Sequence, residues 1–178
     1  MKFNTKTIHG GQAHDPAYGA VMPPIYQTST YAQSTPGGHK GFEYSRTHNP
    51  TRHALENSFA SIENGKYGLA FGSGLAAIDA VIKLLKPGDE VISTNDLYGG
   101  TYRLFTKIYE KFGIKFHFVG MENTSKITSF INKNTKKSDI ILISVTADYL
   151  KMIAQDLKLL NKNFYIFTGS KDLATSLG

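Results

Sequence analysis

The sequence predicts an α/β fold with a mainly parallel sheet, flanking helices and an irregular N-terminal arm. From residue 49 onward, short apolar runs alternate with longer segments whose apolar residues follow helical spacing. Such alternation is typical of parallel strands joined by crossover helices. Before residue 45, glycine and proline are frequent, and they break helices and strands. The 178 residues, 40% of them apolar, are enough for one domain, or at most one and a half.

The N-terminal arm covers residues 1–45 and holds prolines at positions 16, 23, 24 and 36. Aromatic residues are scattered between them. A structureless segment of this length is unusual inside a compact domain. The pattern leaves two interpretations open: an arm that packs against a neighbouring subunit, or a flexible N-terminus.

The first long helix is predicted from Asn49 to about Glu63. Asn49 is a suitable N-cap and Pro50 a suitable first helical residue. The apolar residues that follow have helical spacing, and Gly65 marks the end of the segment.

The remaining elements alternate regularly along the chain. The apolar runs and the glycine and proline positions predict strands at Tyr67–Phe71, Glu90–Ser93, Lys115–Val119, Asp139–Ser144 and Phe164–Phe167. Helices are predicted from Leu75 to before Pro87, and at Thr101–Phe112, Ser125–Asn132 and Tyr149–Leu160.

A glycine-rich turn, Gly72-Ser73-Gly74, lies between a predicted strand and a predicted helix. Glycines let a ligand approach the backbone, and the start of a helix offers free N–H groups and the positive end of its dipole. This pattern favours an anion site, most simply for phosphate, although a tight turn without a ligand has the same pattern. Gly72-x-Gly74-x-x-Ala77 with Asp96 downstream also matches a loose dinucleotide fingerprint.

Two further segments hold residue types that bind phosphates or flat rings. In the first, Tyr44 and Arg46 stand two residues apart, so both reach one phosphate if the segment is extended. In the second, Tyr98 follows a predicted strand at the edge where α/β sheets bind ligands, and its ring is suited to stacking. The alternatives are a surface loop for the first segment and a packed aromatic residue for the second.

Composition argues against several classes of function. The net charge of +6 is not clustered, which argues against nucleic-acid binding. No apolar run is long enough to span a membrane, and no signal peptide is visible, so we expect a cytoplasmic protein without a membrane partner. Cysteine is absent, and the six histidines show no metal-ligand spacing.

The order and the amino-acid sequences of these segments resemble those of the Cys/Met-metabolism family of pyridoxal phosphate enzymes. That family includes cystathionine γ-synthase, cystathionine γ-lyase, cystathionine β-lyase and methionine γ-lyase. The resemblance covers residues 3 to about 136 and is carried by Thr7–Gln12, Pro23–Thr30, Tyr44–Thr47, Asn49–Arg52, Ser73–Ile78 and Asp96–Thr101.

The resemblance implies a cofactor, pyridoxal 5′-phosphate, and a role for each matched residue. Ser73, Gly74 and Leu75 would hold the cofactor phosphate through backbone N–H groups. Tyr44 and Arg46 would reach the phosphate of a neighbouring subunit's cofactor, which implies a homo-oligomer. Tyr98 would stack on the pyridine ring and take part in proton transfer. The implied activity is trans-sulfuration: the formation or cleavage of C–S bonds in an amino-acid substrate.

The resemblance also implies that the chain is an incomplete large domain of a type-I pyridoxal phosphate enzyme. Residues 1–48 would be an arm that contacts a neighbouring subunit, and 49–136 the cofactor-binding part. Residues 137–178 would be a tail. It would be either a diverged continuation of the family sequence or segments that resemble the family's C-terminal domain, joined directly to the N-terminal half. Family members are more than twice as long as this chain.

The chain has no matched lysine for the Schiff base and no matched aspartate for the pyridine nitrogen; Lys171 follows a serine but has too little chain before it. We therefore expect little activity from this chain alone. The alternatives are a non-catalytic partner of a full-length paralogue, a truncated gene product and a dinucleotide-binding domain.

Overall fold

The computed structural model describes residues 1–120, the side chains and backbone of Lys126, Ser129 and Phe130, and the backbone of Ile140 and Ile141. The chain divides into two compact units, Met1–Phe71 and Gly72–Gly178. We call them unit 1 and unit 2.

Unit 1 contains two helices, α1 (Phe3–His9) and α2 (Pro50–Ile62), which contact each other. The arm is irregular from Gly10 to His48, as predicted, but its first residues form a helix that the sequence analysis did not predict. Neither glycine nor proline occurs before Gly10, so nothing breaks a short helix there. An antiparallel bridge between Thr30 and Tyr44 closes the irregular part on itself.

The start of α2 confirms the prediction from the Asn-Pro pair. Asn49 is the N-cap, its side-chain oxygen accepts from the N–H groups of Thr51 and Arg52, and Pro50 is the first helical residue. The helix ends at Ile62. Asn64 follows in the left-handed region, with φ of 53°, and the N–H of Gly65 donates to the carbonyl of Ala60 at 2.7 Å.

The strand predicted at Tyr67–Phe71 is wrong, because this segment has no ladder partner among the residues that the structure describes. Its backbone instead lies against α2: the N–H of Ala70 donates to the Glu56 carboxylate at 3.0 Å, and Gly68 touches the Glu56 carbonyl so closely that a Cβ would not fit. The side chains of Tyr67 and Leu69 are 78% and 76% exposed. An apolar run becomes a strand only where another strand accepts its hydrogen bonds.

Unit 2 is the predicted α/β layer. Its elements in chain order are α3 (Gly74–Ile82), β1 (Glu90–Thr94), α4 (Gly99–Arg103), a π-helical turn (Leu104–Ile108), a 3-10 turn (Tyr109–Phe112), β2 (Lys115–Val119) and β3 (Ile140–Ile141). The described strands form a parallel sheet in the order β2-β1-β3, with Val91 opposite Phe116 on one side and Ile140 on the other. The predicted fold class and the strands β1 and β2 are confirmed.

Two helix boundaries in unit 2 differ from the predictions. The helix expected to continue almost to Pro87 ends at Ile82, because the N–H groups of Leu84 and Leu85 donate to carbonyls three residues back and tighten the last turn. The helix expected at Thr101–Phe112 begins at Gly99 and changes from α to π to 3-10 geometry.

The core of unit 2 lies between α3, the α4 segment and the sheet. Its buried members are Ile82, Val91, Phe105, Tyr109 and Ile114. The ring of Phe105 is fully buried and stacks on Phe116 with 4.4 Å between centroids. This core fixes the helices whose first residues carry the candidate site.

Several predictions lie wholly or mostly outside the described residues. Of the predicted helix Ser125–Asn132, the structure describes Lys126, Ser129 and Phe130, which are helical; of the predicted strand Asp139–Ser144 it describes Ile140–Ile141. The elements at Tyr149–Leu160 and Phe164–Phe167, the tail 137–178 apart from Ile140–Ile141, and Lys171 lie outside them. Among the described helices, none combines the length and the apolar character needed to cross a membrane.

Candidate functional site

The glycine-rich turn of unit 2 is built by the cap of α3. Ser73 has an extended backbone, with φ of −158° and ψ of 159°, and its side-chain oxygen accepts from the N–H of Ala76. This bond is 3.1 Å long. A serine N-cap satisfies one of the N–H groups that every helix leaves unpaired in its first turn. The cap therefore fixes where α3 begins and which way its first N–H groups point.

The N–H groups of Gly74 and Leu75, the two residues between Ser73 and Ala76, have no hydrogen-bond acceptor among the residues that the structure describes. The turn is exposed, and a Cβ built on Gly72 or on Gly74 would meet nothing within 4 Å. The positive end of the α3 dipole points at the same place. A phosphate group can therefore approach the turn and accept from both N–H groups, which fits the cofactor that the resemblance implies.

The turn lies towards the carboxyl edge of the sheet. The hydroxyl of Tyr109, the first residue of the 3-10 turn that precedes β2, donates to the carboxylate of Asp79 in the second half of α3. The end of α3 therefore lies near the amino edge of the sheet, and its start lies towards the opposite edge. That edge carries Tyr98, four residues after the end of β1.

Tyr98 occupies the N-cap position of α4, and its ring is largely free. Its side chain is 74% exposed, and one edge of the ring lies directly over Gly100, where a Cβ would collide with it. The structure therefore brings the Ser73–Leu75 turn and an exposed aromatic ring to the same edge of unit 2. The alternative of a packed aromatic residue does not describe Tyr98.

Tyr44 and Arg46 lie in unit 1: Tyr44 pairs with Thr30 in the antiparallel bridge, and Arg46 follows two residues later. The N–H of Ser45 donates to the carbonyl of Ser29 at 2.8 Å. The Arg46 guanidinium lies 5.0 Å from the centre of the Tyr44 ring. It is exposed and has no carboxylate partner in the described part of the chain, which leaves it available to an anion.

Asn49 and Arg52 at the start of α2 hold this segment, a role that was not predicted from the sequence. The Asn49 amide donates to the carbonyl of Tyr26 at 3.1 Å, to the hydroxyl of Tyr31 at 3.2 Å and to the hydroxyl of Ser45 at 2.9 Å. The Arg52 guanidinium donates to the carbonyls of Ser45 at 3.2 Å and Thr47 at 2.7 Å. The one sequence signal for this role is the residue type, because Asn and Arg side chains can each donate several hydrogen bonds.

The shifted pKa values lie away from the turn. Partial burial and the nearby Asp15 raise the pKa of Tyr26 in unit 1. Burial and the Asp79 carboxylate raise the pKa of Tyr109 to about 12. Hydrogen bonds from Lys83 and then Tyr109 lower the pKa of Asp79, and the His117 hydrogen bond lowers that of Glu90. These shifts report ion pairs and packing rather than acid–base groups at the turn.

The structure does not support the dinucleotide alternative. That fingerprint needs a strand immediately before the glycine turn, so that strand, turn and helix form one unit. Residues 67–71 are not a strand, and Asp96 is an exposed residue in the loop between β1 and α4.

The family model for "Cys/Met metabolism PLP-dependent enzyme" matches residues 4–154. The chain belongs to this family. Among its relatives, cystathionine β-lyase of Coxiella burnetii is 48% identical over 135 residues, and cystathionine γ-lyase of Bacillus subtilis is 50% identical over 136 residues. These alignments cover 75% and 76% of this chain but 35% and 36% of the relatives. The chain thus spans about a third of their length.

A solved structure, cystathionine γ-lyase from Lactobacillus plantarum complexed with L-serine, is similar with a TM-score of 0.78 and 37% identity. The similarity covers 93% of this chain and 44% of that chain. Family membership implies pyridoxal 5′-phosphate as cofactor and leaves nothing in favour of the alternative functions. The individual roles of Tyr44, Arg46, Ser73, Gly74, Leu75 and Tyr98, and the three-part division of the chain at residues 48 and 136, stay predictions.

Proposed function

We propose that unit 2 binds the phosphate of pyridoxal 5′-phosphate at the Ser73–Leu75 turn and its ring at Tyr98. The observation that carries the proposal is the pair of N–H groups at Gly74 and Leu75, which have no acceptor among the described residues and belong to an exposed turn. Leu75 contributes only its backbone, so its side chain is free to vary.

In the enzyme to which these residues belong, the cofactor withdraws electrons from the α-carbon of an amino-acid substrate. The residues of this chain orient it. The turn would hold the phosphate end of the cofactor, and the exposed ring of Tyr98 would stack on its pyridine ring. We also propose that the phenolic oxygen of Tyr98 takes part in proton transfer at the substrate.

We further propose that the activity is trans-sulfuration, on cystathionine or a homoserine ester, and that the protein is cytoplasmic. The names of the relatives, which are cystathionine lyases and synthases, support the substrate class. The partner that completes the site is a second copy of the chain or a full-length paralogue, whose cofactor phosphate receives Tyr44 and Arg46.

The test of the phosphate site uses pyridoxine 5′-phosphate, which has no aldehyde and therefore does not condense with surface lysines. We expect the full chain to bind it more tightly than pyridoxine, measured by calorimetry. Ser73→Thr keeps a capping oxygen and should bind nearly as well. Ser73→Asp also keeps the cap but adds a negative charge beside the phosphate, and should weaken binding roughly tenfold. Equal affinities of the two variants would contradict the proposal.

The test of the neighbouring-subunit role mixes two defective chains. Arg46→Ala and Ser73→Asp should each bind pyridoxine 5′-phosphate weakly. If Arg46 acts on a neighbour's cofactor, an equimolar mixture should recover a fraction of tight sites, because some assemblies combine an intact Arg46 with an intact turn. A mixture that binds no better than its components would rule out this arrangement between copies.

A further inference from the structure

We propose that Asn49 and Arg52 are positioning residues for Tyr44 and Arg46. They act by fixing the segment 44–47, which we call the anion segment, against the first turn of α2. This inference rests on the proposed function, in which Tyr44 and Arg46 bind the cofactor phosphate.

Asn49 has two tasks at once. Its side-chain oxygen caps α2 by accepting from the N–H groups of Thr51 at 2.9 Å and Arg52 at 3.4 Å. Its amide nitrogen donates to three oxygens outside the helix, belonging to Tyr26, Tyr31 and Ser45. Ser45 in turn donates from its hydroxyl to the carbonyl of Thr28. One half-buried side chain thus joins the helix, the arm and the anion segment.

Arg52 binds the backbone on both sides of Arg46. Its two terminal nitrogens donate to the carbonyls of Ser45 and Thr47, the residues immediately before and after Arg46. Its Nε lies 3.7 Å from the Glu56 carboxylate one turn along the helix. The planar fork of a guanidinium fixes both carbonyls in one geometry, which a single ammonium does not do.

The consequence is a backbone that is fixed on both sides of an exposed cation. The bridge to Thr30 fixes Tyr44, and Arg52 fixes Ser45 and Thr47. Only the side chains of Tyr44 and Arg46 remain to be ordered when the anion binds. Preorganisation of this kind raises affinity, because less conformational entropy is lost on binding.

The two tasks of Asn49 are separable by substitution. Asn49→Asp retains an oxygen that caps α2, and a carboxylate suits the positive end of the helix dipole. It loses every N–H donor and places a negative oxygen against the carbonyl of Tyr26. Arg52→Lys keeps the charge and loses the fork. The first variant changes charge and the second does not, so a shared effect reports geometry.

The experiment measures pyridoxine 5′-phosphate affinity of the full chain by calorimetry, in the assembly that the chain forms, with helix content followed by circular dichroism. We expect Asn49→Asp and Arg52→Lys each to weaken binding at least about threefold in the natural background. In an Arg46→Ala/Tyr44→Phe background each should change it less than about twofold, because the groups they position are gone. The control variant Asn4→Asp adds the same charge at an exposed site and should leave the affinity unchanged in both backgrounds.

The outcomes separate the two proposals. If Arg46→Ala/Tyr44→Phe alone leaves affinity unchanged, the proposed role of the anion segment fails. If that variant weakens binding but Asn49→Asp and Arg52→Lys do not, the positioning role fails. Equal losses in both backgrounds would show that Asn49 and Arg52 only maintain the fold, and would also overturn the inference.

Discussion

Units 1 and 2 both carry predicted cofactor residues, but different forces stabilise them. In unit 2 an apolar core of large side chains, including the fully buried Val91 and Phe105, packs helices against the sheet. In unit 1 the one buried apolar side chain among residues 1–71 is Ala60, and the anion segment is held by Asn49 and Arg52. The turn of unit 2 therefore depends on core packing and a helix cap, whereas the anion segment depends on directional hydrogen bonds.

The largest effect on this comparison should come from the core of unit 2. We expect Phe105→Ala to lower the free energy of unfolding by about 3–5 kcal/mol, because a fully buried ring leaves a cavity. Phe112→Ala removes the same ring from a position that is 64% exposed, and should cost less than half as much. Denaturant unfolding measures both. Equal losses would mean that Phe105 does not lie in a packed core.

A smaller effect is expected at the cap of α3. Ser73→Ala should lower the free energy of unfolding by about 1 kcal/mol, because the N–H of Ala76 loses its acceptor. Ser73→Thr should recover most of this loss in the same thermal unfolding measurement. A Ser73→Thr variant as unstable as Ser73→Ala would argue that the hydroxyl does not cap the helix.

The adjacent glycines of α4 provide a matched pair. A Cβ on Gly100 collides with the Tyr98 ring, whereas a Cβ on Gly99 meets nothing within 4 Å. Gly100→Ala should turn the ring away and weaken pyridoxine 5′-phosphate binding roughly fivefold, since stacking contributes about 1 kcal/mol. Gly99→Ala should leave binding unchanged and stabilise α4 slightly. If both variants bind pyridoxine 5′-phosphate like the natural chain, the proposed stacking of the Tyr98 ring on the cofactor is wrong.

The last prediction concerns stability at alkaline pH. The pKa of Tyr109 is raised from 10.0 to about 12, so the folded state holds this proton more tightly than the unfolded state. The contribution of Tyr109 to stability is therefore complete below pH 10 and is lost as the pH rises from about 10 to 12. Between about pH 10 and 12 the free energy of unfolding should fall more steeply for the natural chain than for Tyr109→Phe. Tyr18→Phe, at a side chain that is 95% exposed, should match the natural chain.

Local signals predicted the parts of the fold that local interactions determine. The Asn49-Pro50 pair predicted the start of α2, because a cap and a first-turn proline act within a few residues. The strand predicted at Tyr67–Phe71 failed because a strand needs a partner elsewhere in the chain. The position of Tyr98 after the end of β1 followed from the alternation of strands and helices. The hydrogen bonds from Arg52 to the carbonyls of Ser45 and Thr47 could not be predicted from the sequence, because their acceptors are backbone atoms in an irregular turn.

The central claim is that the phosphate of the cofactor binds at the N–H groups of Gly74 and Leu75. The most direct measurement is a titration of the isotopically labelled chain with pyridoxine 5′-phosphate, followed by the ¹H–¹⁵N NMR signals of the backbone amides. The account predicts that the Gly74 and Leu75 signals shift most, and that pyridoxine without the phosphate does not produce these shifts. Saturable binding that leaves both signals in place would contradict it.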